Sequence, residues 1–219
     1  MQEKRKKVIL SKRQELMADE FVERAEREGI ELEKGAVLTN EYLERHFDEL
    51  SKWVNLFTAY PDYYLDIIRP ADSEFSLFFY QRFTLRALMR FKDVFITAPR
   101  AFSKSFITIL ALFLQCVFIP GRKVFMTANT KQQAAQITKE KIYEIYDHWP
   151  LLKKEIIGWE LSDYPGNFGK DYVTLKFRNG SVFDVVLAGD AARGGRRHGG
   201  MIDEIRDGDE EMINSVVIP

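Results

Sequence analysis

The sequence predicts an α/β fold behind a helical amino-terminal extension, and three observations predict it. From about residue 75, short apolar runs of strand length alternate with longer helical ones, the pattern of a parallel sheet covered by helices. Two β-rich runs, 172–177 and 181–187, are joined by Arg178-Asn179-Gly180, and Asn-Gly between such runs signals an antiparallel hairpin. Residues 1–70 are instead rich in charge, with apolar side chains at helical spacing.

Composition bounds the class. The 219 residues are 46% hydrophobic and 30% charged with a net charge of −1, which excludes a disordered chain and leaves ample material for a core. A pI of about 6.4 excludes a uniformly basic nucleic-acid coat, although a local basic track or nucleotide site stays compatible with it. The single cysteine, Cys116, lies inside an apolar run and is expected to be a buried thiol. His46, His148 and His198 have no metal-ligand spacing, so zinc is not expected. The amino terminus is basic, with too short an apolar stretch for a signal peptide. The apolar run 106–119, closed by Pro120-Gly121, is too short to span a bilayer. A soluble intracellular protein is the expectation.

In the extension, Leu16, Phe21 and Val22 mark one helix, punctuated by Gly29 and Gly35. A second helix is expected after Thr39 or Asn40, with Asn40 able to cap it and Leu43, Phe47, Leu50 and Val54 on one face. Lys4 to Lys7 read as a solvated end, or less readily as a phosphate-binding arm. Residues 75–91 read as a helix and Asp93-Val94-Phe95-Ile96-Thr97 as a strand. A long helix follows from Ser103, then a strand at Lys123-Val124-Phe125-Met126-Thr127 and a helix to about Asp147. The hairpin follows. Asn179-Gly180-Ser181 also matches a glycosylation sequon, which the turn explains. The domain reading is a helical extension over 1–70 and an α/β core over 71–219.

The chemistry concentrates in Ala98-Pro99-Arg100-Ala101-Phe102-Ser103-Lys104-Ser105. A strand entering a loop whose Lys-Ser opens an apolar helix is the layout of a P-loop. Backbone N–H groups cradle the anion, Lys104 reaches the β- and γ-phosphates, and the Ser105 hydroxyl ligates magnesium. The usual two glycines are here Ala98 and Ser103, so the motif is degenerate. An ordinary helix capped by Ser103 is the competing reading. Well downstream, Met201-Ile202-Asp203-Glu204 is an apolar strand ending in an acidic pair, shortened by Gly199-Gly200. ATP hydrolysis needs such a pair: Asp203 to hold the hydrated magnesium and Glu204 to polarise the attacking water.

Upstream, Phe79-Tyr80-Gln81-Arg82 places an amide beside an aromatic ring, and Gln81 can read an adenine edge as both donor and acceptor. Arg100, within the loop, can stabilise charge on a transferring phosphoryl group. The stretch from Thr127 to Gln133 can line a nucleic-acid track, while Thr130 to Gln133 alone reads as a capping box. The basic loop Arg193-Gly194-Gly195-Arg196-Arg197-His198 stays open between an arginine finger, a DNA-phosphate contact and a solvated loop.

Taken together, Tyr80-Gln81-Arg82, the loop from Ala98 to Ser105, Thr127-Ala128-Asn129-Thr130, and Arg193-Gly194 leading into Ile202-Asp203-Glu204 resemble the large terminase subunit of tailed bacteriophages, over roughly residues 70 to 219. Members of that family often carry degenerate P-loops with an internal arginine, which Arg100 matches. The resemblance implies a P-loop NTPase core of RecA- and helicase-like type, with a mostly parallel central sheet flanked by helices. It implies ATP and Mg2+ as cofactors and an ATPase that drives double-stranded viral DNA into a procapsid in the host cell cytoplasm. The implied partners are viral DNA, the portal protein and the small terminase subunit, with a homo-oligomeric ring on assembly, a monomer as the alternative in isolation, and no membrane.

By this resemblance Gln81 binds adenine, and the loop residues Ala98, Pro99, Arg100, Ala101, Phe102, Ser103, Lys104 and Ser105 hold the phosphates. Ser105 and Asp203 take the metal, Asp203 through water, while Glu204 is the catalytic base and Arg100 a sensor or finger. The chain stops at Ile218-Pro219, so the family's carboxy-terminal nuclease domain and the coupling motif of the next strand are expected to be absent. The sheet can then be incomplete and the ATPase activity of the fragment low. A helicase-type or other DNA-dependent motor shares every motif used, and a non-catalytic interaction domain with a decayed P-loop remains a third reading.

Overall fold

Ten of the fifteen residues in the helix Lys104–Phe118 are buried, which makes it the axis on which the rest of the chain is built. Each large apolar side chain removed from water stabilises by about 1.5–3 kcal/mol, so a helix apolar on nearly every side must lie inside. The computed structural model describes residues 46–99, 101–186 and 197–203. In chain order the helices are α1 (Phe47–Ala59), α2 (Pro61–Ile68), α3 (Phe79–Arg90), α4 (Lys104–Phe118) and α5 (Lys131–His148). The strands are β1 (Lys123–Thr127), β2 (Asn167–Phe168), β3 (Val173–Lys176), β4 (Val182–Val185) and β5 (Gly199–Ile202), with two short 3-10 turns between α5 and β2.

The five strands form one sheet in the order β2-β3-β4-β1-β5. β1 pairs parallel with both β4 and β5, while β2–β3 and β3–β4 are antiparallel. The α/β class expected from the sequence is therefore present, but the sheet is mixed rather than mostly parallel. The cause is the hairpin itself: β3 and β4 are joined at Asn179-Gly180, with Gly180 at φ 83°, and a two-way turn of this kind can only produce antiparallel neighbours. Asn179 also donates its amide to the carbonyls of Cys116 and Val117, at 2.7 and 3.1 Å. The turn thus satisfies orphan carbonyls at the end of α4.

Alternation along the strands sorts the two faces. Val124, Met126, Val173, Leu175, Phe183, Val185 and Met201 join α4 and α5 in one core, completed by Tyr146, Trp149 and Cys116. On the opposite face Phe125 and Val186 form a separate small cluster, with the Arg197 guanidinium over the Phe125 ring. Cys116 is buried as expected, and burial pushes its thiol up to about 12.

Several sequence expectations are corrected. Residues 93–97 form no strand, and Phe95 is 78% exposed. A strand exists only where a neighbour completes its hydrogen-bond ladder, and no described strand pairs with this segment. The helix expected over 75–91 begins only at Phe79. Phe75 is instead drawn into the core, stacked on His148 at 3.5 Å and edge-on to Trp149. α1 spans the expected Phe47, Leu50 and Val54, yet none of its residues is fully buried. Asn40, Leu43 and the first expected helix lie outside the described residues. β1, α5 and the hairpin stand where the sequence places them, and the Thr130 hydroxyl accepts the Gln133 N–H at 3.1 Å as the capping reading requires.

Candidate functional site

α4 begins at Lys104, so the unsatisfied N–H groups of its first turn and the positive end of its dipole face the preceding loop. Two residues of that loop, Ala101 at φ 65° and Ser103 at φ 58°, are left-handed. Ser103 occupies the place where a P-loop carries its second glycine, and its backbone adopts the conformation glycine adopts freely. Ser103 is also the N-cap residue, but its hydroxyl makes no cap hydrogen bond. The reading of an ordinary serine-capped helix is therefore corrected, because a left-handed cap residue departs from the extended backbone that serine caps typically adopt.

Lys104 folds back over this loop, its Nζ donating to the Ala98 carbonyl at 2.7 Å. The two positions that lack glycine are thereby tied into one loop: Ala98 accepts from the lysine, and Ser103 makes the turn before it. Phe102 leaves the loop to stack on Tyr80 of α3, ring centroids 4.4 Å apart. Pro99 has no described polar contact, and Arg100 lies outside the described residues.

Asp203 immediately follows β5, and its N–H donates to the Thr127 carbonyl at the end of β1. Its side chain reaches α4: Ser105 Oγ donates to Asp203 Oδ2 at 3.3 Å, joining residues 98 apart in sequence. Parallel pairing of β1 and β5 in the register Thr127↔Ile202 sets this meeting, since it puts both carboxyl ends at one edge of the sheet beside the start of α4. A hydroxyl and a carboxylate at this spacing are hard oxygen donors of the kind magnesium takes, together with waters and phosphate oxygens. Among the described residues no three His, Cys, Asp or Glu side chains cluster as a metal site, here or elsewhere. The Thr127 hydroxyl is buried without a hydrogen-bond partner at the same sheet edge.

Gln81 is 5% exposed near the start of α3. Its Oε1 accepts the Phe78 N–H at 2.9 Å, which fixes the amide orientation, because a backbone N–H can meet only the oxygen. The Nε2 donor is left for another acceptor. With Tyr80, Thr84, Ile96, Phe102 and Lys104, Gln81 lines a crevice beside the loop that is too narrow in this structure to admit a water molecule. The structure thus gathers Gln81, Ala98, Phe102, Ser103 and Lys104 around one recess and loop, and joins Ser105, next to Lys104 in the first turn of α4, to Asp203. Glu204, Arg193 and Arg196 lie outside the described residues. Arg197 is engaged with Asp184 at 2.9 Å, and His198 Nδ1 accepts the Lys123 N–H at 2.9 Å, so both stand within the fold.

One cluster went unread in the sequence. Asp62 on α2 is fully buried and receives Arg86 through both carboxylate oxygens at 2.7 Å, with Arg82 at 3.4 Å. Arg82 also grips Asp66 at 2.6 and 2.8 Å, and the hydrogen bonds it donates to that carboxylate raise its guanidinium above the ordinary arginine range. The signal was present: two acids four apart on one helix and two arginines four apart on the next can face each other. No family model matches the chain, and no curated protein matches it.

Proposed function

We propose that this chain is a nucleotide-binding ATPase domain, and that its work is the ATP-driven translocation of double-stranded viral DNA by a packaging terminase. The observation that carries the nucleotide reading is the Ser105–Asp203 contact, which joins a lysine-serine helix start to an acidic strand end across 98 residues. In this reading the first turn of α4 and Lys104 hold the phosphates, the lysine exchanging the Ala98 carbonyl for phosphate oxygens. Ser105 and Asp203 hold Mg2+, which when bound neutralises charge on the phosphates. Gln81 reads an adenine edge, Glu204 orients the attacking water, and Arg100 stabilises the transferring phosphoryl group. The terminase assignment, with its DNA, portal and small-subunit partners and its setting in the host cytoplasm, rests on the sequence resemblance. Among the described residues no helix is long and apolar enough to cross a membrane.

A second reading, an interaction domain with a decayed loop, is favoured by one observation: residues 93–97, which should feed the loop as a strand, pair with no described strand. Calorimetry of Mg-ATP on the wild type and on Lys104→Ala separates the two. The ATPase reading expects saturable binding, and at least about a tenfold loss of affinity in the variant, since a charge-assisted contact contributes about 1.5–3 kcal/mol. Absence of binding by the wild type, or equal binding by both, favours the decayed loop.

A further inference from the structure

We infer that Arg82 is a positioning residue for the base-reading edge of the nucleotide recess, an inference that rests on the nucleotide reading above. Gln81 can present its Nε2 donor only because its Oε1 is held by the Phe78 N–H. That N–H points correctly only if the chain enters α3 along one path. Arg82 sets the path, because its Nε donates to the Leu77 carbonyl at 3.1 Å, the peptide joined to Phe78. The same guanidinium is fixed from the other side by Asp66 at 2.6 and 2.8 Å and by the fully buried Asp62 at 3.4 Å. A planar, forked cation can hold a carbonyl and two carboxylates in one geometry, which a lysine ammonium on a flexible stem cannot. The hydrogen bonds therefore run without a gap from Asp62 on α2, through Arg82 and the 77–78 peptide, to the Gln81 amide.

Tyr80 stands on the same first turn and stacks on Phe102 of the phosphate loop, so the tilt of α3 is felt on both sides of the recess. Arg82 is not among the residues that line the recess. Its loss should blur discrimination of the base while sparing the hold on the phosphates.

The test is calorimetry on the whole chain with Mg-ATP, Mg-GTP and Mg-tripolyphosphate, for the wild type, Arg82→Lys and Lys104→Ala. Arg86 still pairs Asp62 in Arg82→Lys, so the buried carboxylate is not abandoned. The expected result is a wild type that prefers ATP to GTP. Arg82→Lys should lose that preference by about five- to tenfold, the scale of one well-placed hydrogen bond, and bind tripolyphosphate as the wild type does. Asp66→Ala, which frees one side of the guanidinium, should move discrimination in the same direction. An unchanged ATP-to-GTP ratio in Arg82→Lys overturns the inference while leaving the nucleotide reading intact. So does a uniform loss for all three ligands, which would mark a purely structural role, and so does a wild type that binds both nucleotides equally. If the wild type binds no Mg-ATP, or Lys104→Ala binds as well as the wild type, the nucleotide reading fails and the inference fails with it.

Discussion

Ser103 holds a backbone conformation that costs a side-chain-bearing residue about 1–2 kcal/mol, and it does so without the compensation of a cap hydrogen bond. Replacing it with glycine removes that strain, partly offset by the greater freedom of glycine in the unfolded chain. We expect Ser103→Gly to raise stability by about 0.5–1 kcal/mol, read as a higher urea midpoint at unchanged slope, with Mg-ATP affinity kept. A lower midpoint would show that the hydroxyl or Cβ makes a contribution absent from the geometry. This residue also shows where sequence reading ends. Lysine, serine and aspartate announced themselves by type and order, and Ser105 and Asp203 do meet. The left-handed turn at Ser103 could not be read, because serine adopts it only when the surrounding loop imposes it. The grip of Lys104 on Ala98 was equally hidden, being a bond to a backbone carbonyl that any residue supplies.

At the scale of elements, the last residue of α5 locks three pieces together. His148 stacks on Phe75, which precedes α3, and meets Phe106 of α4 edge-on, while Trp149 beside it donates its indole N–H to the Leu65 carbonyl of α2. Burial lowers the affinity of this imidazole for a proton, against the opposing pull of Glu144 and Asp147. The sign follows: the unfolded chain takes up the proton first, so this contribution to stability is present above pH 6.5 and is lost as pH falls through the lower folded value. We expect the melting temperature of the wild type to fall more steeply as pH drops below 6.5 than that of His148→Gln. Parallel curves would remove His148 as the cause. Helices and the hairpin were legible at this scale because their signals are local: apolar period, Thr130 cap, Asn179-Gly180 turn. Residues 93–97 were misread because a strand depends on a partner that local pattern does not reveal. The mixed character of the sheet was likewise a matter of which edges met.

Over the whole molecule, the sheet is assembled from contacts of very different sequence reach. α4, β1 and α5 follow one another along the chain, and β3 and β4 meet through a tight turn. β4 reaches back to β1 in the pairing Lys123↔Val182, and β5 reaches further, in Val124↔Gly199. Longer loops cost more entropy to close and slow the steps that need them. We expect a stopped-flow refolding experiment to show recovery of a fluorescent Mg-nucleotide signal lagging the helical circular-dichroism signal. Coincident phases would place the docking of β5 no later than the helices.

Asp203 immediately follows β5, an edge strand among those described, while Ser105 belongs to the helix at the centre of the core. The two halves of the candidate metal site are thus brought together by the longest-range pairing in the sheet. A chain that has collapsed around α4 but has not yet docked β5 owns the lysine and the loop without the carboxylate. On the proposed nucleotide reading, competence to hold a metal-bound nucleotide is a checkpoint on completed folding, and a ligand that binds only the finished sheet draws the last step of assembly to completion.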